Sequence, residues 1–449
     1  MKSYIENVYN KVVEKDPGQE VFHQAVEEVL DSLEPAIEKY PKFKENAILE
    51  RIVEPERVIL FRVPWLNEDG EVKVNRGFRV QFNSAIGPYK GGLRFHKTVN
   101  LGVLKFLGFE QLFKNSLTGL PMGGGKGGSD FDPHGKTDAE VCNFCHNYMT
   151  ELYKHVGQFT DVPAGDIGVG AREIGYLYGM YRKITNHHGT CVLTGKGPTY
   201  GGSLIRPEAT GYGTVYFVKE MLKTKNEDLR DKTVCISGSG NVAQFAAEKS
   251  IQLGGKVIAM SDSSGWVHDP EGIDQEKLEW IMELKNVRRG RIKEFAEEFK
   301  GVEYHTDKSP WYLPCDIALP SATQNEVDAK EAKALVDNNV MAVGEGANMP
   351  LVPEAIEIIQ EAKVLYAPGK AANAGGVSVS GLEMAQNSMR YFWTREEVDQ
   401  KLHQIMVSIH KTAYETAELF GEKGNYVLGA NIAGFLKVAN AMVAQGYIS

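Results

Sequence analysis

Thr233-Val234-Cys235-Ile236-Ser237-Gly238-Ser239-Gly240-Asn241-Val242-Ala243 carries a short apolar strand through two glycines into the start of a helix. The glycines and Ala243 spell G-x-G-x-x-A in the strand–turn–helix setting that a dinucleotide pyrophosphate requires. Gly238 permits the tight turn, Gly240 lets backbone approach phosphate, and the small Ala243 lets helix and strand pack closely. The helix N-terminus at Asn241 and Val242 then points its positive dipole end at the phosphates. Outward from this stretch the pattern alternates. A helix at 208–224 precedes it, strand candidates follow at 256–261, 316–320, 340–343 and 363–367, and helices fall at 241–253, 275–284, 325–336 and 353–361. This alternation predicts a parallel sheet wrapped on both faces, an α/β fold of Rossmann-like type.

About 20 positions beyond the glycines, at the end of the second strand, stands Asp262. An acid there is placed to accept a ribose 2′-hydroxyl, which favours NAD. Ser263 and Ser264 follow it, however, and Lys285, Arg288, Arg289 and Arg291 form a basic cluster downstream. Serines and cations suit a 2′-phosphate, so the residues alone leave NAD and NADP both open.

Toward the N-terminus the period changes. Residues 1–50 are helical, with Val21, Phe22, Ala25, Val26, Val29, Leu30 and Leu33 at three- and four-residue spacing. Residues 58–63 and 78–82 are β-rich and flank the turn Asn67-Glu68-Asp69-Gly70, after which helices and glycine loops are expected to alternate to about residue 200. Beyond 380 the chain reads as helical, with a long helix at 396–420 and a final one from about 432 that is expected to return to the first domain. A length of 449 residues implies two domains. The division expected is 1–203, completed by a C-terminal helix at about 425–449, and 204–424 for the dinucleotide.

The net charge of −9 gives no footprint for nucleic acid or an anionic membrane surface, so small ligands are the expected partners. The N-terminus lacks an apolar leader and no run of 18 apolar residues occurs, which makes the cytoplasm the expected location. Cys142-Asn143-Phe144-Cys145-His146 spells a haem-attachment pattern. It falls inside a helix opened by the capping box Thr137 and Glu140, so the five cysteines are read as free thiols and no metal is expected.

Glycine is the skewed count: 47 are present where about 31 would be average. Twelve lie in 85–135 and thirteen in 157–213. The first cluster surrounds three lysines, Lys90, Lys114 and Lys126, the last with five glycines in the six residues 123–128. The second frames Asp166 in Pro163-Ala164-Gly165-Asp166.

The segments Gly87-Pro88-Tyr89-Lys90-Gly91-Gly92-Leu93-Arg94, Leu120-Pro121-Met122-Gly123-Gly124-Gly125-Lys126-Gly127-Gly128-Ser129, Pro163-Ala164-Gly165-Asp166, Arg206-Pro207-Glu208-Ala209-Thr210-Gly211, Gly344-Glu345-Gly346-Ala347-Asn348 and Ala372-Asn373-Ala374-Gly375-Gly376-Val377 occur in that order. Together they resemble the glutamate dehydrogenases, in particular their small, usually homohexameric branch. The resemblance implies two domains flanking a cleft and reversible oxidative deamination of L-glutamate to 2-oxoglutarate and ammonium. It implies Lys126 and Asp166 as catalytic groups, Lys90 with Ser380 on the side-chain carboxylate, Lys114 with Gln111 on the α-carboxylate, and the Gly165 backbone against the substrate. For the cofactor it adds Thr210, Asn241, Ala322, Gln324 and Asn348. The Ser-Asp-Ser-Ser stretch with Lys285 is similar to that of NADP-preferring members, with use of NAD as well the main rival. Burial and the neighbouring Lys90 and Lys114 are expected to lower the proton affinity of Lys126. The competing readings are a dehydrogenase of branched-chain or aromatic amino acids, against which a buried Lys90 counts, and an inactive dinucleotide-binding sensor, against which the intact Lys126 and Asp166 count.

Overall fold

The computed structural model describes residues 2–186, 188–306 and 309–446. The chain divides into two compact units, one formed by 1–204, 379–398 and 431–449, the other by 205–378 and 399–430. The sequence expectation placed 379–398 with the dinucleotide unit. The change of unit falls inside one continuous helix, Gly375–Met389, where no turn signal marks it.

The first unit is built on a five-stranded sheet of β1 (Arg57–Leu66), β2 (Val72–Asn83), β3 (Tyr89–Phe95), β4 (Gly124–Ser129) and β5 (Asp161–Gly165), in the order β1-β2-β4-β3-β5. The hairpin β1–β2 and the pair β2–β4 are antiparallel, and β3 runs parallel to both β4 and β5. The glycine-rich segments expected as loops are therefore strands. Strand patterns are read from apolar side chains, and these strands carry almost none.

Their glycines make room for one long side chain. Arg79 of β2 runs across the sheet to Asp161 of β5, with Nε and Nη2 donating at 2.8 and 2.5 Å, and donates from Nη1 to the Gly91 carbonyl at 3.1 Å. A Cβ at Gly127 would lie 3.0 Å from Arg79 Cδ, and one at Gly125 3.4 Å from Nη2. Lys126 alternates to the other face, where Gly108 of the helix Leu101–Leu117 brings that helix against its Cβ. On the remaining side Phe95, Phe131, Phe144 and Tyr148 form an aromatic core, with Phe131 stacked on Phe144 at 3.7 Å. Phe144 and Tyr148 come from the helix Asp138–Leu152, which opens with the expected Thr137–Glu140 capping box.

The second unit has a seven-stranded sheet. Its strands are β6 (Thr233–Ile236), β7 (Lys256–Asp262), β8 (Gly265–Ile273), β9 (Glu303–His305), β10 (Ile317–Leu319), β11 (Ala342–Gly344) and β12 (Leu365–Ala367). The order is β12-β11-β10-β6-β7-β8-β9. Strands β6, β7, β10, β11 and β12 are parallel as expected. Strands β8 and β9 add an antiparallel edge that the sequence did not predict. The Ser263-Ser264 pair is the turn of a hairpin, Asp262 facing Gly265 across it. The strand after that turn breaks its alternation at Asp269-Pro270-Glu271-Gly272, which hides it from period-two reading.

Candidate active site

In the first unit Lys126 projects from β4 and Asp166 stands one residue beyond β5. Lys126 Nζ lies 3.3 Å from Asp166 Oδ1, and Arg94 of β3 donates from Nε to Asp166 Oδ2 at 2.6 Å. Asp166 is set by a tight reversal in which Val169 N donates to its carbonyl at 2.9 Å. Gly92 lets it approach β3, since a Cβ there would lie 2.8 Å from Asp166 Cβ. Burial is the largest influence on Lys126 and lowers its pKa below the ordinary lysine value; Asp166 opposes this and Arg94 and Arg79 add to it. Neither arginine was singled out in the sequence as a cation acting on Lys126. Burial alone would raise the pKa of Asp166, but Lys126 and Arg94 outweigh it and hold the carboxyl below the usual range. The pair thus rests as an ion pair of two groups whose proton affinities are both depressed. One side of it opens to a recess of about 380 Å³ lined by Asp166, Gly168, Val169, His134, Arg172 and Glu173, among others.

Lys90 is buried on β3 and donates to Thr194 Oγ1 at 2.8 Å. The Thr194 segment is clamped to the helix that carries Ser380. Gly195 N donates to Glu383 at 2.9 Å and Lys196 Nζ to the same carboxylate at 2.7 Å, in an ion pair with almost no exposure. Ser380 sits one helical turn before Glu383 and is itself buried. Gln111 and Lys114 share one face of the Leu101–Leu117 helix by their three-residue spacing. Gln111 packs over Gly91, whose Cβ would lie 3.2 Å from Gln111 Cγ. Asn115 joins these parts by donating to the Lys90 carbonyl at 3.0 Å and to the Gly123 carbonyl at 2.6 Å. Gly165 ends β5, so its backbone borders Asp166. Arg94, Thr194, Asn115 and Glu383 carried no functional reading in sequence. Arg94 stood inside a quoted motif, but only the fold brings it to Asp166.

In the second unit the cofactor candidates gather at the carboxyl ends of the strands, where open α/β sheets bind ligands. Gly238 follows β6 with φ +84°, a left-handed conformation, and donates its N–H to Ser261 Oγ at 2.7 Å. Gly240 caps the helix Asn241–Gln252 and has no heavy atom near its would-be Cβ, which leaves the helix N-terminus open to phosphate. Val242 lies in that helix's first turn, and Asn241 donates to the Pro207 carbonyl at 2.5 Å. Ala322, after β10, packs against Gly238, where an added Cβ would lie 3.2 Å from the Ala322 Cα, and Gln324 beyond it is exposed. Asn348, after β11, accepts from Asn373 Nδ2 at 2.9 Å. Thr210 lies in the first turn of the helix Ala209–Lys223, against Gly376. Beneath the 344–348 segment Glu345 is buried and its pKa is pushed up to about 7 by desolvation, against the bonds it accepts from Tyr366 and Gly369.

Asp262 differs from the sequence expectation of an open ribose acceptor. Its two oxygens accept Lys285 Nζ at 2.7 Å, Ile292 N at 2.9 Å, Ser264 N at 2.8 Å and Ser264 Oγ at 2.6 Å. Four donors saturate a carboxylate. Burial works to raise its pKa, and these bonds overcome it and hold the group at about 2. Asp262 is therefore an anchor for the loop, with Lys285 held by it and by the Gly290 carbonyl. Ser263 is left exposed beside Arg291, which donates to it at 2.7 Å.

Related chains cover both units. Residues 201–446 match the family profile described as Glutamate/Leucine/Phenylalanine/Valine dehydrogenase, and 55–183 match that family's dimerisation domain. The chain is 59% identical to an NAD(P)-specific glutamate dehydrogenase of Xylanibacter ruminicola, with 98% of each chain covered. It is 58% identical to the NADP-specific glutamate dehydrogenase of Escherichia coli (strain K12), with 99% of each covered. The solved structure of glutamate dehydrogenase 2 of Plasmodium falciparum superposes with a TM-score of 0.96 at 53% identity, over 99% of this chain and 97% of that one. With profiles and relatives spanning both units, the chain belongs to the Glu/Leu/Phe/Val dehydrogenase family.

Proposed function

We propose that the protein is a glutamate dehydrogenase that interconverts L-glutamate with 2-oxoglutarate and ammonium, using NADP in preference to NAD. The observation that carries this is the Lys126–Asp166 pair at 3.3 Å, both groups with depressed proton affinity, on a sheet that also carries the buried cation Lys90. Lys90, Thr194 and Ser380 form a polar, cationic subsite suited to a distal carboxylate, and an apolar side chain there would offer the buried Lys90 ammonium no hydrogen bond. Lys114 and Gln111 hold the α-carboxylate. Gly238, Gly240, Asn241 and Val242 would hold the pyrophosphate of the nicotinamide dinucleotide and Thr210, Ala322, Gln324 and Asn348 its nicotinamide end, and the cofactor would supply the acceptor for the hydride from Cα. Asp166 accepts a proton from the substrate amine before that transfer. Lys126, in its neutral form, then takes a proton from the water that adds to the substrate iminium, and its lowered pKa brings this form closer to neutral pH. Asp166 returns its proton to the carbinolamine nitrogen, the C–N bond breaks as the ketone forms and the hydroxyl proton is released, and the departing ammonia takes up that proton as ammonium, while the proton on Lys126 passes to solvent.

NADP preference is supported by Ser263 and Arg291 at the exposed end of the β7–β8 turn, and by the saturation of Asp262, which leaves it no free acceptor for a ribose hydroxyl. Self-association into a homohexamer is supported by the apolar outer face of the β1–β2 hairpin and by the dimerisation-domain profile over it. The test is the steady-state rate of reduced-cofactor oxidation. It should require both ammonium and 2-oxoglutarate and show kcat/KM at least about tenfold higher with NADPH than with NADH, a difference of about 1.4 kcal/mol. No oxidation would overturn the function, and equal rates would overturn the preference.

A further inference from the structure

Asp166 offers two oxygens, and the structure commits them to different partners. Oδ1 faces Lys126 at 3.3 Å, while Oδ2 takes the Arg94 Nε–H at 2.6 Å. Arg94 lies on β3 between two backbone tethers. Phe95 N donates to the Ile167 carbonyl at 2.9 Å, and Gly92 admits Asp166 to the strand. A carboxylate free to rotate would exchange its oxygens, and with Oδ2 held it presents Oδ1 alone. Other charged and titratable groups around the pair include Arg79 of β2, on the opposite face of the sheet and ion-paired with Asp161 of β5, His134, Arg172 and Glu173 across the recess, and the lysines Lys90 and Lys114 of the same unit. Arg172 is itself paired with Glu173 and Asp138. Arg94 is therefore the cation that bonds the catalytic carboxylate without being a proton donor or acceptor in the reaction.

We propose that Arg94 is a positioning residue for the reaction, fixing one oxygen of Asp166 and supplying the positive charge against which the Lys126–Asp166 pair exchanges protons. The proposal rests on the glutamate dehydrogenase reading and deepens it. Arg94 acts on both members in the same direction, lowering the proton affinity of Lys126 and of Asp166. Removing its charge raises both, so both limbs of the pH–rate profile move to higher pH together. A side chain that only braced the fold would lower kcat with the limbs in place.

The experiment is the pH profile of kcat for 2-oxoglutarate amination with NADPH in the wild type, Arg94→Gln, Arg94→Met and Arg94→Lys. An inactive wild type would defeat the dehydrogenase reading itself, independently of Arg94. With an active wild type, either neutral variant that folds should show a lower kcat, a KM for 2-oxoglutarate changed less than kcat, and limbs displaced upward by about 1 pH unit, the scale of losing one cation at hydrogen-bond distance. Arg94→Lys should return the limbs toward the wild-type positions. Neutral variants whose limbs coincide with those of the wild type would overturn the proposal.

Discussion

In the proposed reaction Lys126 serves as a base, and its surroundings are what lower its proton affinity. Burial on a glycine strand strips its ammonium of water, and Asp166 restores only part of the loss. Lys126 and Asp166 stood out in sequence through the motifs around them, and the structure pairs them. The contacts that tune them were not, because Arg94, Arg79 and Thr194 reach the site only through strand order and the clamp at Glu383. Asp262 shows the reverse case. The sequence shows an acid at the expected place, but only the structure shows its oxygens already engaged. Lys126→Ala and Asp166→Asn should each lower kcat by about a hundredfold or more, the usual scale for loss of a general acid–base group. Circular dichroism should show both variants folded, and near-normal kcat in either one would remove its assigned role.

At the scale of elements, the helices and the apolar strands β6, β7, β10, β11 and β12 followed their periodicity. Strands β3, β4 and β5 did not, because their identity lies in what glycine lets through. Arg79 crosses two strands to reach Asp161, in a fully buried ion pair whose two bonds match guanidinium to carboxylate in geometry. The hairpin β1–β2 raises the opposite issue. Strand β1 is an edge strand, and Val58, Leu60, Leu66, Val72 and Val74 are all more than 40% exposed on the hairpin. An apolar edge of this kind invites pairing, and a lysine on it discourages pairing. The purified chain should sediment as a hexamer, and Leu60→Lys with Val74→Lys should shift it to smaller species while the far-ultraviolet circular dichroism stays unchanged. A monomeric wild type would remove the self-association proposal.

Across the whole molecule, glycine is concentrated around Lys90, Lys126 and Asp166 and sparse at the turn after β6, which carries Gly238 and Gly240. The two-unit division was legible from the change of pattern near residue 206. The return of 379–398 to the first unit was not, since a continuous helix bears no boundary mark. That return places Ser380 and Glu383 in the unit that holds Lys90. In the proposed reaction these residues form the distal subsite on which the choice of substrate turns. The most direct test of the central claim is the ratio of kcat/KM for 2-oxoglutarate to that for 2-oxoisocaproate, with ammonium and NADPH, in the wild type and in Lys90→Leu with Ser380→Val. The wild type should favour 2-oxoglutarate by about a hundredfold or more, as expected when a buried polar site meets a ligand that cannot pair with it, and the double variant should lose that preference. A wild type that prefers the apolar acid, or a double variant with undiminished selectivity for 2-oxoglutarate, would contradict the account.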